Sequence, residues 1–150
     1  MAHTYTDLLF HVIFSTKDRA PMLDAELKSR LFPYVGGIIR ELGGMGLLIN
    51  GPPDHVHVLV LLSAKTALSE IVGKVKANSS GWVHREFTEK QAFAWQTGYA
   101  AFNVSHSQKE SVLDYIAKQE EHHRKMSFQE ELIAFLKKHE IEYEERYLWD

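Results

Sequence analysis

The sequence contains no cysteine, which excludes disulfides, thiolate metal sites and thiol nucleophiles. Any metal must therefore rest on imidazole, carboxylate, amide or water donors. A long apolar run is missing too. The best candidate, Val58 to Leu62, is far too short to cross a bilayer, so no membrane partner is expected. The opening Met1-Ala2-His3-Thr4-Tyr5 lacks the basic segment that begins a signal peptide, and a cytoplasmic location is the expectation. Excess positive charge is also absent. The formal net charge is −3, which argues against a protein that coats nucleic acid non-specifically but leaves room for a local basic groove. Proline is scarce, and two of the four stand together in Gly51-Pro52-Pro53-Asp54, a strong turn signal.

What is present fits one domain over residues 1–150, with 45% hydrophobic residues available for a core. Acidic residues gather late, at Glu120-Glu121, Glu130-Glu131 and Glu140 to Glu145, whereas Lys17, Arg19, Lys65, Lys74, Lys76, Arg85 and Lys90 come earlier. Nine histidines are the one unusual count. Thr6 to Ser15 is rich in apolar and β-branched residues and reads as a strand. Asp24 then caps a helix whose apolar residues recur from Leu27 to Leu42, with Pro33 as a possible kink and Gly43-Gly44 as its end. Gly46 to Asn50 and His55 to Ser63 read as strands, Thr66 to about Phe87 as a helix, and Tyr99 to Ser105 as a fourth strand. That order is βαββαβ, an α+β, ferredoxin-like or RRM-like sheet that can leave one face free of helices. Two additional C-terminal helices follow. Ser107-x-x-Glu110 and Ser127-x-x-Glu130 are capping-box patterns, opening helices to about Met126 and His139. The tail after Glu140 is expected to add a short extended segment.

Two constellations carry chemistry. In His55-Val56-His57 the residues two apart share one strand face, so both imidazoles can meet one ion. Val56, Val58, Val60 and Leu62 form the opposite, apolar face. On its own the pair is equally consistent with two hydrogen-bonded or exposed histidines. The second constellation is Tyr115-x-x-x-Gln119, where residues four apart share a helix face. A tyrosine can attack a phosphodiester and conserve the bond energy as phosphotyrosine. With a phenol pKa near ~10 it needs assistance, which a neighbouring ion supplies by polarising the phosphate and holding the reacting groups together. Gln119 could be a third, neutral ligand. A half-buried helix tyrosine bonded to water fits the same pattern.

Taken together, the two constellations resemble the single-tyrosine HUH-type transposases of insertion sequences that move through single-stranded DNA, a family that includes the tyrosine transposases associated with repetitive extragenic palindromes. The HUH motif (His, hydrophobic, His) is matched by His55-Val56-His57 and the tyrosine–glutamine helix by Tyr115 and Gln119. His11 to Arg19, Trp95 to Tyr99, Val104-Ser105 and Tyr115 to His123 resemble the family's flanking segments. The resemblance implies Tyr115 as nucleophile, His55, His57 and Gln119 as ligands, and Mg2+ or Mn2+ as the ion. It further implies a homodimer in which the tyrosine helix of one subunit completes the histidine site of the other. The implied substrate is single-stranded DNA with hairpin ends, cut to give a 5′-phosphotyrosine and a free 3′-hydroxyl and then rejoined without a nucleotide cofactor.

Other residues bear on this reading. Lys17, Arg19, Lys74 and Lys76 could contact DNA phosphates, or be solvated charges. Trp82 and Trp95 could stack on bases, although core packing is the commoner use. His11 could neighbour the histidine strand, and Asp54 could orient His55. His122 and His123 lie further along the tyrosine helix, where a peripheral role is expected. The competing functions are a domesticated relative that nicks repeat hairpins, a non-catalytic single-stranded nucleic-acid binding module, and a hydrolase whose histidines activate water.

Overall fold

The alternation of the sequence folds into a four-stranded antiparallel sheet built from β1 (Leu8–Ser15), β2 (Met45–Asn50), β3 (His55–Leu62) and β4 (Ala100–Asn103), in the order β2-β3-β1-β4. This computed structural model describes residues 3–123 and 125–150, without the side chains of Glu120 and His122, so the expectation for His122 lies outside it. The two central strands pair with Ser15 opposite His55 and Ile13 opposite His57. The histidine end of β3 therefore lies beside the C-terminal end of β1.

One sheet face carries α1 (Ala25–Glu41) and α2 (Leu68–Glu86). Val12, Phe14, Val56, Val58 and Val60 pack there against Leu27, Leu31, Ile71 and Val75. Each such buried aliphatic side chain contributes roughly 1.5–3 kcal/mol relative to exposure. Asp24 caps α1, its Oδ1 accepting from the Leu27 N–H at 2.8 Å, and the helix runs through Pro33 without interruption. Gly43, in the left-handed region at φ 81°, ends it.

The opposite face is not left free. It is covered by α3 (Lys109–Ala117), α4 (Gln119–His122) and α5 (Phe128–Lys138). Ile116 packs on Leu9 and Leu59, while Phe128, Leu132 and Leu136 pack on Ile13 and Phe102. Three expectations change here. Ser107 does not cap a helix, because its hydroxyl bonds the Ser105 hydroxyl at 3.0 Å and a 3-10 turn, His106–Gln108, precedes α3. The tyrosine helix is not continuous, since Lys118 at φ −99°, ψ 23° separates α3 from α4. The tail forms a 3-10 turn at Glu145–Tyr147 rather than an extended segment. The second capping box, Ser127 with Glu130, forms as read. No helix among the described residues is long and apolar enough to cross a membrane.

Candidate active site

The turn before β3 sets the position of the first histidine. Gly51 lies so close to the strand it introduces that an added Cβ would sit 2.1 Å from the His55 carbonyl oxygen. Beyond that turn, alternation sends the Val56 and Val58 side chains into the core under α1 and α2, and His55 and His57 to the other face, where both are fully buried. Each imidazole is fixed through Nδ1. His55 Nδ1 donates to Asp54 Oδ1 at 2.6 Å. His57 Nδ1 shares a hydrogen bond of 2.7 Å with His11 Nε2 from β1. Both Nε2 atoms then point the same way, away from the strand.

They converge on a carboxylate that the sequence reading does not single out. Glu131 Oε1 lies 3.2 Å from His55 Nε2, 3.0 Å from His57 Nε2 and 3.2 Å from His123 Nε2. Its other oxygen, Oε2, accepts a hydrogen bond from the Tyr115 hydroxyl. Gln119, also fully buried, places Oε1 3.0 Å from His123 Nε2 and donates from Nε2 to the Tyr115 carbonyl at 3.3 Å. The Tyr115–Gln119 spacing thus brings both residues to the histidines despite the break at Lys118. The Asn50 amide, which donates to the Ile116 carbonyl at 2.9 Å, ties that segment to β2.

The protonation states follow from burial and these contacts. Burial pushes His57 down to about 4 against the pull of Glu131. Burial, reinforced by His57, pushes His11 down to about 3. Both are neutral near pH 7, the form that ligates metal. Burial opposes charge on His55 as well, but its hydrogen bonds to Asp54 and Glu131 outweigh that and raise its pKa. Burial likewise opposes ionisation of Glu131, yet hydrogen bonds from His123, His55 and His57 hold the carboxyl well below the usual range. Burial and then Glu131 push the Tyr115 phenol above its ordinary value.

The donor atoms of His55, His57, His123 and Glu131 all lie within 4.8 Å of one another. Imidazole nitrogens, two of them on rings held through Nδ1 by Asp54 and His11, facing an anionic carboxylate, suit a divalent ion. A cleft of about 410 Å³ opens on Tyr115 and Glu131, lined also by His11, Gln108, Phe135 and Lys138. Tyr115 and Gln119 come from the same chain as the histidines. Exchange of the tyrosine helix between subunits, which the resemblance implies, is therefore not needed to assemble this site.

The remaining expected residues are placed variously. Lys17 is exposed and Arg19 stands over the Trp149 ring at 5.3 Å, both in the turn after β1 at the histidine end of the sheet. Lys74 pairs with Glu70 at 3.3 Å on α2, which packs on the other sheet face. The half-buried Lys76 ammonium donates to the carbonyls of Gln96, Thr97 and Gly98, and burial lowers its pKa to about 8. Trp82 stacks on Tyr34, and Trp95 packs edge-on against Phe14 and Phe93, so both serve packing. Asp54 meets His55 and His11 meets His57, as the expectations that Asp54 could orient His55 and that His11 could neighbour its strand allowed. His123 is central rather than peripheral. The signal for Glu131 was available. It occupies the apolar face of its helix, three residues after Phe128 and one before Leu132, where a charge is out of pattern.

Residues 4–119 match the family described as "Transposase IS200 like". Among solved structures, one similar chain is a presumed transposase from Deinococcus radiodurans R1. It is 22% identical, with a TM-score of 0.65, over 79% of this chain and 96% of that one. Another is a tyrosine transposase associated with REP elements, bound to a REP hairpin. It is 14% identical, with a TM-score of 0.62, over 82% of this chain and 73% of that one. At these identities the two structures show a shared fold. No significant match is found among curated proteins.

Proposed function

Because the chain belongs to the IS200-like transposase family, we propose that it is a DNA transposase that cuts and rejoins single-stranded DNA at hairpin-bearing ends through Tyr115. The observation that carries this reading is convergence: the Tyr115 hydroxyl and the Nε2 atoms of His55 and His57 meet on one buried carboxylate. Tyr115 attacks the scissile phosphorus, the bond to the 3′ oxygen breaks, and a 5′-phosphotyrosine and a free 3′-hydroxyl result. A 3′-hydroxyl from a second cut reverses the exchange and seals a new junction. Each step trades one phosphoester for another, so no nucleotide cofactor is required. His55, His57 and Gln119 would hold Mg2+ or Mn2+, which when bound supplies Lewis-acid polarisation of the phosphate.

The chain's own groups do the positioning. The Glu131 carboxylate orients the phenol and faces the proton it must lose. The cleft beside Tyr115 gives the strand a path to the nucleophile. Lys17 and Arg19, at the histidine end of the sheet, are the proposed phosphate contacts nearest the cut. Lys74 and Lys76 on α2 would touch DNA further away, Lys76 only by releasing its carbonyls. The hairpin bound by the REP-associated structure supports hairpin DNA as partner. The reading takes residues 1–150 as one catalytic domain in a cytoplasmic homodimer.

The test is a denaturing gel of protein incubated with labelled single-stranded hairpin DNA and Mg2+ or Mn2+, beside Tyr115→Phe and chelator lanes. A metal-dependent covalent adduct is expected with the wild type. Tyr115→Phe should lose it entirely while binding the hairpin about as well. Cleavage by the variant would show that Tyr115 is not the nucleophile. Free 5′-phosphate without adduct would instead make the protein a hydrolase.

A further inference from the structure

We infer that His123 and Glu131 complete the ion-binding set, making with His55 and His57 a four-residue centre that selects a transition ion of the zinc or cobalt class over Mg2+. This inference rests on the proposed metal dependence of the site but reaches residues beyond the matched family segment, which ends at Gln119.

Three observations carry it. The first is distance. Four donors about 2.1 Å from a tetrahedral ion stand roughly 3.4 Å apart. Glu131 Oε1 lies 3.2, 3.0 and 3.2 Å from the Nε2 atoms of His55, His57 and His123, close to that edge length, and all four donors lie within 4.8 Å of one another. The second is donor count. A carboxylate oxygen has two lone pairs, yet three imidazole nitrogens approach this one, in a pocket where Glu131 is 1% exposed. A cation between them replaces three competing contacts with four bonds. The third is the surrounding shell. The Nδ1 atoms of His55 and His57 are engaged by Asp54 and His11, which aims their Nε2 atoms inward.

Three imidazoles and one carboxylate are the donor set of a zinc-like ion. Mg2+ prefers octahedral oxygen donors and retains water, and so large a share of nitrogen donors disfavours it. Gln119 Oε1, 3.0 Å from His123 Nε2, borders the set and is the nearest candidate for a fifth donor. Because the protein itself fills four positions, an entering phosphate must displace Glu131 or expand the shell to five. Glu131 Oε2 meanwhile keeps its contact with the Tyr115 hydroxyl, linking the ion to the proposed nucleophile through one side chain.

The experiment needs no DNA. Chelator-stripped full-length protein is titrated with Co2+, following visible absorption and heat, and then challenged with a large excess of Mg2+. The wild type should bind one equivalent with the intense bands of four-coordinate Co2+ and keep it against Mg2+. Glu131→Gln, which preserves side-chain shape, and His123→Gln should each weaken Co2+ by at least about tenfold and lose the four-coordinate spectrum. Wild-type affinity and spectrum in both Glu131→Gln and His123→Gln would overturn the inference, as would ready displacement by Mg2+. Loss confined to His55→Ala, His57→Ala and Gln119→Ala would overturn it too while leaving the three-ligand reading intact. The adduct gel reports on the transposase reading separately.

Discussion

A buried carboxylate has to be stabilised by partners or give up its charge, and Glu131 has four partners within one pocket. The histidines that surround it are in turn held from behind. Asp54 is the clearest case, since its side chain meets His55 Nδ1 at 2.6 Å and touches no other candidate ligand in the described contacts. A carboxylate there fixes the ring orientation and raises the basicity of Nε2. Asp54→Asn keeps the size of the side chain but removes the charge. Metal affinity should fall by about 10–100-fold, measured by Co2+ or Mn2+ titration of stripped protein. The backbone bond from Thr16 N–H to the Asp54 carbonyl would be kept, so the metal-free protein should melt nearly as before. Unchanged affinity would mean that Asp54 serves only the turn.

At the scale of elements, legibility depends on how local the cause is. The two histidines could be read from the sequence because a strand has a period of two, and Tyr115 with Gln119 because a helix brings residues four apart together. The two Ser-x-x-Glu patterns show the limit. Ser127 caps α5, whereas the Ser107 hydroxyl is taken by Ser105, a competition between side chains that a four-residue pattern does not contain. His123 and Glu131 reach the site only because α5 folds back across the sheet through Phe128, Leu132 and Leu136, and spacing says nothing about that return. The cap of α5 therefore bears on chemistry. Ser127 Oγ accepts from the Glu130 N–H at 3.2 Å, and Glu130 reaches back to the Ser127 N–H at 3.5 Å. Ser127→Ala should cost about 1 kcal/mol, seen as a lower denaturant midpoint, and should speed amide exchange through residues 128–138. Exchange confined to its wild-type rate would show that apolar packing alone holds the helix that carries Glu131.

The fold of the whole molecule was readable because βαββαβ has few ways to close, and the sheet closes in the order β2-β3-β1-β4. The layer over the histidine face was not readable, and it has a consequence for the entire chain: it buries titratable groups. His11 and His57 take up protons near the ordinary value of 6.5 in the unfolded chain, but only near about 3 and about 4 when folded. As pH falls below 6.5, the unfolded state binds protons that the folded state refuses, so stability declines. His55 acts in the opposite sense. Its raised pKa gives stability that is present below 6.5 and lost as pH rises through the folded value. Glu131 adds to the acid loss below its ordinary 4.5, because its carboxyl stays ionised in the fold. Two histidines outweigh one, so the chelated protein should melt at progressively lower temperature from pH 7 to pH 4. His11→Phe, which removes one refusing imidazole, should flatten that slope. Thermal melts in chelator across this range measure both curves. A midpoint that rises on acidification would mean that the cluster is held together as imidazolium–carboxylate pairs, with the folded state taking up the protons that neutral His11 and His57 would refuse.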